Sequence, residues 1–238
     1  MIERLRSIEA AAPHGNGVAC FVRLYRQVTE QVNAKLAAQA FANVHFLEQL
    51  DVRFAGLFFT ALDAYKRDPA SAPSAWTPLF AQQSRHGIAP LQFALAGMNA
   101  HINRDLPVAL VTTCGELKLE LRERSPEHDD FERVNVLLAE VEATIKRSYM
   151  SGWLARADRL VHRFDRIDDV VAMWDVQRAR DAAWANGQAL WALRNEPSVA
   201  SEFLTSLDRM VGFAGRGLLV PADSLVRKFG RFVSGSAA

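Results

Sequence analysis

The sequence predicts an all-α protein, a single compact multi-helix bundle of about seven or eight helices. Apolar residues recur at three- and four-residue spacing from Val18 to Phe213, and no alternating β pattern runs longer than a few residues. Prolines stand where new helices would begin. The chain has 238 residues, half of them hydrophobic, which is ample for one sizeable core. No repeat, low-complexity run or linker marks a boundary, so residues 1–238 read as one domain, with 1–17 and 234–238 expected to be poorly ordered.

The elements follow in order. Val18–Phe41 carries an apolar stripe at Phe21, Leu24, Tyr25, Val28, Val32 and Leu36, and Phe46–Tyr65 repeats it through Leu50, Phe54, Leu57, Phe58 and Leu62. The Pro/Ser/Ala segment Asp68–Ala75 ends that helical pair, and a short helix around Trp76–Gln83 stops at Gly87. Pro90 suits the first position of a helix reaching about Asp105. Pro107 disfavours helical geometry just before it, so a kink or restart is expected near Leu106. Ser125-Pro126-Glu127 supplies a cap, a proline at N1 and an acidic first turn, opening Pro126–Met150 with Phe131, Val134, Leu138, Val141 and Ile145 inward. Further helices are expected at Trp153–His162, at Asp169–Arg194, from Pro197 to about Phe213, and briefly after Pro221.

Composition narrows the partners. With 28 basic and 27 acidic residues and no Lys/Arg run, the chain lacks the basic face needed to neutralise phosphates, so nucleic acid is not expected. The longest apolar stretches, Phe54–Leu62 and Leu91–Met98, are well short of the roughly 20 residues a membrane span requires. The charged N-terminus leads into no apolar h-region, and Cys20 and Cys114 stand far apart without metal-ligand neighbours. A cytoplasmic protein with reduced thiols and a small-molecule or protein partner is the expectation; oligomeric state is left open.

One stretch carries chemistry. Read as a helix, Ala94–Val108 puts Ala94, Gly97, Met98, His101 and Asp105 on one broad face. Asn99, His101, Asn103 and Asp105 interrupt an otherwise apolar helix, and Gly97 costs about 1 kcal/mol against alanine in mid-helix. Gly97, with Ala94 and Ala100, leaves space beside the imidazole for either a closely packed helix or a ligand. Asn135 falls within an apolar stripe, and Arg178, Asp181, Trp184, Gln188 and Trp191 share a side of the long helix with Trp174. Buried polar groups need partners, so Asn135, Arg178 and Asp181 are expected to join the His101 cluster as substrate-binding groups, with Trp184 as an aromatic wall. The alternatives are a His–Asp pair that braces the kink, with asparagines satisfying carbonyls freed by Pro107, and an Arg178–Asp181 pair on the surface. His128-Asp129 reads as first-turn polarity of a helix rather than a metal-binding step. No His-Glu-x-x-His, paired Glu-x-x-His, P-loop, Gly-x-Gly-x-x-Gly or Gly-x-Ser-x-Gly occurs.

The run Gly97-Met98-Asn99-Ala100-His101-Ile102-Asn103-Arg104-Asp105-Leu106-Pro107 resembles the central signature of the bacterial domain-of-unknown-function family 5995. Leu50-Asp51-Val52-Arg53-Phe54, Asp130-Phe131 with Asn135, and Arg178-Ala179-Arg180-Asp181-Ala182-Ala183-Trp184 are similar to it as well. The resemblance implies that the His101 segment is the site and brings no reaction with it.

Three functions follow from the residues. In the first, His101 is the general acid or base of a small-molecule enzyme, Asp105 orients it, and Asn99, Asn103 or Arg178 fixes a polar group of an apolar or aromatic metabolite. Isomerisation, cyclisation, elimination and hydrolysis all fit, and no cofactor is expected. In the second, a divalent metal is held by His101 and Asp105 with Asp130 or Asp181. In the third, the protein is a non-catalytic binding or scaffold module.

Overall fold

The computed structural model describes residues 1–36, 41–139 and 175–221, and no strand occurs among them. Helices α1 (Ile2–Ala11), α2 (Gly17–Leu36) and α3 (Val44–Arg67) are followed by a 3-10 turn at Pro69–Ser71 and the short α4 (Thr77–Gln82). α5 (Pro90–Ala100) runs through a π-helical turn, His101–Asp105, into α6 (Leu106–Leu117). Residues 126–139 form α7, and α8 (Val176–Ala192) and α9 (Pro197–Leu218) complete the set. None of the described helices is long and apolar enough to cross a membrane. The elements expected at Trp153–His162 and after Pro221, the 140–150 and 169–174 portions of their helices, residues 37–40 and the tail Ser234–Ala238 lie outside the described residues.

Local chemistry sets most helix starts. Asn16 Oδ1 accepts from the Val18 and Ala19 amides at the head of α2, Asn43 Oδ1 from Phe46 N, Ser125 Oγ from His128 N, and Asp175 Oδ1 from Arg178 N. The expectation of disorder over residues 1–17 is corrected. α1 carries only a short apolar stripe and would be marginal alone, but Leu5 is fully buried and Glu9 bridges to Arg23 (2.7 Å) and Arg26 (3.1 Å) of α2. Tertiary contacts, not propensity, hold it.

The restart expected near Leu106 takes the form of the π turn. Pro107 has no amide proton to return to the preceding turn, and the ladder widens ahead of it, with Leu106 N reaching back to His101 O. The α5–π–α6 rod is the centre of the fold: α5 packs against α2 and α9, and α6 against α3 and α8.

Gly97 decides one of the sequence alternatives. A Cβ built there would fall inside the Phe21 side chain of α2, so the space beside the imidazole is filled by a neighbouring helix and not by a ligand. Gly97→Leu is therefore expected to destabilise the protein by about 3 kcal/mol, the upper part of the range for overpacked cores, despite leucine's better helix propensity. Urea unfolding measures this; an unchanged or raised midpoint would contradict the packing.

Candidate functional site

His101 and Asp105 are both fully buried, and the π turn brings them together. His101 Nδ1 lies 3.3 Å from Asp105 Oδ2. A carboxylate only accepts, so the imidazole proton sits on Nδ1 and Nε2 is left as a bare acceptor. Nε2 is buried and has no hydrogen-bond partner among the described residues.

The carboxylate is held from further sides. Trp76 Nε1 donates to Oδ2 at 3.0 Å and Arg104 donates to Oδ1 at 2.8 Å. Arg104 Nε also lies 3.5 Å from Asp208 Oδ1 on α9, and Asp208 in turn accepts from the Ser74 and Ala75 amides. One network thus ties the α4 end, the π turn and α9.

Aromatic rings enclose the imidazole. Phe54 stacks on it at 3.6 Å and 5°, Tyr25 meets it edge-on at 4.6 Å, and Phe21, Phe58 and Trp76 stand further out. Burial in this cage lowers the His101 pKa below its usual 6.5, outweighing the opposing pull of Asp105, so the ring is neutral at neutral pH. Burial, reinforced by the charges of Asp51 and Asp105, raises the Tyr25 hydroxyl well above its usual value.

His101, Tyr25 and Phe54 form part of the wall of a cavity of ≈ 470 Å³. Its remaining walls are largely apolar, with Val28, Leu50, Met98, Ile102 and Val134 among them. Asp51, whose carboxyl is pushed up by burial, and the exposed Glu48 stand on the α3 side, and Arg180 of α8 lines it too. The size and character suit a small metabolite.

The sequence candidates separate here. Asn99 and Asn103 do not line the cavity: Asn99 donates to the Val211 carbonyl (3.0 Å) and accepts from Asn103 (3.1 Å), which braces α9. Arg178 is corrected. Its side chain is 88% exposed and pairs with Asp175, while Arg180, two residues on, is 7% exposed. The buried stripe of α8 runs Val176, Arg180, Ala183, Trp184, Gly187 and Leu190, so of the face the sequence proposed Trp184 is buried while Arg178 and Asp181 lie in water. Asn135 is fully buried and accepts from Arg180 Nε while donating to Asp181 (3.1 Å) and Glu132 (3.2 Å). Asp181 is exposed and accepts from Asn135. Trp184 packs against Phe131 and His128 behind the cavity wall, and Trp174 lies outside the described residues. Asp130 caps the Ala42 and Asn43 amides (3.0 and 2.7 Å) and pairs with Arg133. Among the described residues no three His, Cys, Asp or Glu side chains converge as metal ligands, so the His101, Asp105, Asp130 and Asp181 set does not fit a metal. Cys20 and Cys114 are free and buried, and burial pushes the Cys114 thiol up to about 12, leaving it unreactive.

A model described as a family of unknown function, DUF5995, matches residues 1–221, and the chain belongs to that family. No curated protein and no solved structure matches it.

The His101 environment predicts a pH dependence. Because the folded pKa lies below the unfolded 6.5, unfolded chains take up the proton first as pH falls. The group's contribution is intact above 6.5 and is lost below it, at up to about 1.4 kcal/mol per pH unit. His101→Gln should lack this term, so the stability of wild type relative to the variant falls on acidification below that value; parallel curves from urea titrations would contradict a buried neutral imidazole.

Proposed function

We propose that this member of the family binds an apolar or aromatic metabolite in the 470 Å³ cavity and that His101 acts on it as a general base. The observation that carries the reading is the unpartnered Nε2 of a neutral imidazole whose other nitrogen is fixed by a buried carboxylate. A buried acceptor left unpaired costs about 1–3 kcal/mol, a cost that a substrate proton would relieve. A neutral ring is in the correct state to take that proton at neutral pH, and Asp105 would then hold the imidazolium. Tyr25 keeps its own proton, which its hydroxyl directs to Met1 Sδ at 3.8 Å, so its ring and not its hydroxyl serves the site. Proton abstraction followed by return at a second atom gives isomerisation; attack of the resulting anion on an electrophilic atom of the same molecule, with the proton returned to the atom that takes up the charge, gives cyclisation; loss of a leaving group gives elimination.

One observation favours binding without catalysis: the stacked Phe54 ring and the aromatic cage leave Nε2 no exposed surface, so a substrate must displace a ring to reach it. The readings separate on the same proteins. A cell metabolite extract is incubated in D₂O with wild type, His101→Ala and His101→Gln, and followed by mass spectrometry. General-base chemistry predicts a metabolite consumed or deuterated by wild type and about 10²–10⁴-fold more slowly by both variants, with melting temperatures showing them folded. If wild type retains a metabolite through gel filtration without changing it, and His101→Gln retains it equally, the protein is a binding module. Full turnover by folded variants would remove His101 from the chemistry.

A further inference from the structure

A guanidinium taken out of water needs either a paired anion or an aromatic face, and Arg180 has only part of that. It is 7% exposed, its charge lies 4.1 Å above the Phe131 ring, and its Nε donates to Asn135 Oδ1. No carboxylate forms a salt bridge with it among the described residues, although neighbouring Arg178 pairs with Asp175. Its two terminal nitrogens have no hydrogen-bond partner among the described residues, and the residue lines the cavity. Glu132 and Asp181 favour the cation through their charges, but their hydrogen bonds here are to the Asn135 amide. Asn135 thus fixes the guanidinium through one edge and leaves the planar fork uncommitted beside an apolar chamber.

We infer that Arg180 is the anchor for a carboxylate on the cavity's ligand, which makes that ligand an amphiphilic monocarboxylic acid with its apolar body lying toward Phe54 and His101. The inference rests on the cavity being the binding site. The guanidinium fork matches the two oxygens of a carboxylate. A monoanion suits the surroundings better than a phosphate dianion, because Asp51 and Glu48 also stand on the cavity wall and would repel a second charge. Burial lowers the Arg180 pKa only to about 10, so the cation is present throughout the physiological range.

Matched acids and alcohols test this without knowledge of the natural ligand. Calorimetric titration of the full chain at neutral pH compares straight-chain carboxylates with alcohols of equal length, and 2-naphthoate with 2-naphthalenemethanol. Wild type should bind the acids about ten- to a hundred-fold more tightly than their alcohols. Arg180→Met should remove the preference while leaving alcohol affinity nearly unchanged, and Arg180→Lys, which keeps charge but not the fork, should retain only part of it. Wild type that binds alcohols as well as acids would overturn the carboxylate assignment and leave the cavity reading standing, a result independent of how either variant folds. A preference that survives in Arg180→Met would overturn the role of Arg180. Failure of every acid and alcohol to bind would overturn the cavity reading itself and this inference with it.

Discussion

A carboxylate without access to water must be neutralised by its surroundings, and at Asp105 this requirement organises the molecule. Its oxygens accept from the Trp76 indole and the Arg104 guanidinium and face the His101 imidazole. Removing one partner of such a buried charge typically costs about 3–5 kcal/mol, more than most single contacts in a core. The position of α4, the widening of the helix at the π turn and, through Arg104 and Asp208, the seat of α9 all serve this one group. The orientation of His101 is a by-product of the same arrangement.

That arrangement gives His101 opposing influences. The aromatic cage disfavours its charged form while Asp105 favours it, and burial prevails. A ring that is neutral at rest, held in one tautomer and supported when protonated is what base catalysis asks of a histidine.

The cavity contrasts with the packed face behind it. On the α2 side, Gly97 lets Phe21 approach the rod so closely that no side chain fits between them. Elsewhere α2, α3, α7 and α8 leave room for the cavity, and His101 and Arg180 reach its wall from the π turn and from α8. The rod is therefore sealed at Gly97 and borders the cavity at Met98, His101 and Ile102.

The sequence by itself determined the features that depend on near neighbours. Ser125 and Pro107 act within a few residues of their own positions, so the start of α7 and the irregular turn before Pro107 were legible from local chemistry, whereas the Asn16 cap of α2 fell in a stretch expected to be disordered. The 3.6-residue period likewise placed His101 and Asp105 on one face. Only the tertiary structure decided what covers each face. Trp76 reaches Asp105 from 29 residues away, Asp130 caps a segment 87 and 88 residues distant, and Phe21 fills the space beside Gly97. Periodicity fixes which residues share a stripe but not how far a helix is rotated about its axis, and that rotation, with Gly187 packed against Leu110 of α6, buries Arg180 and leaves Arg178 in water.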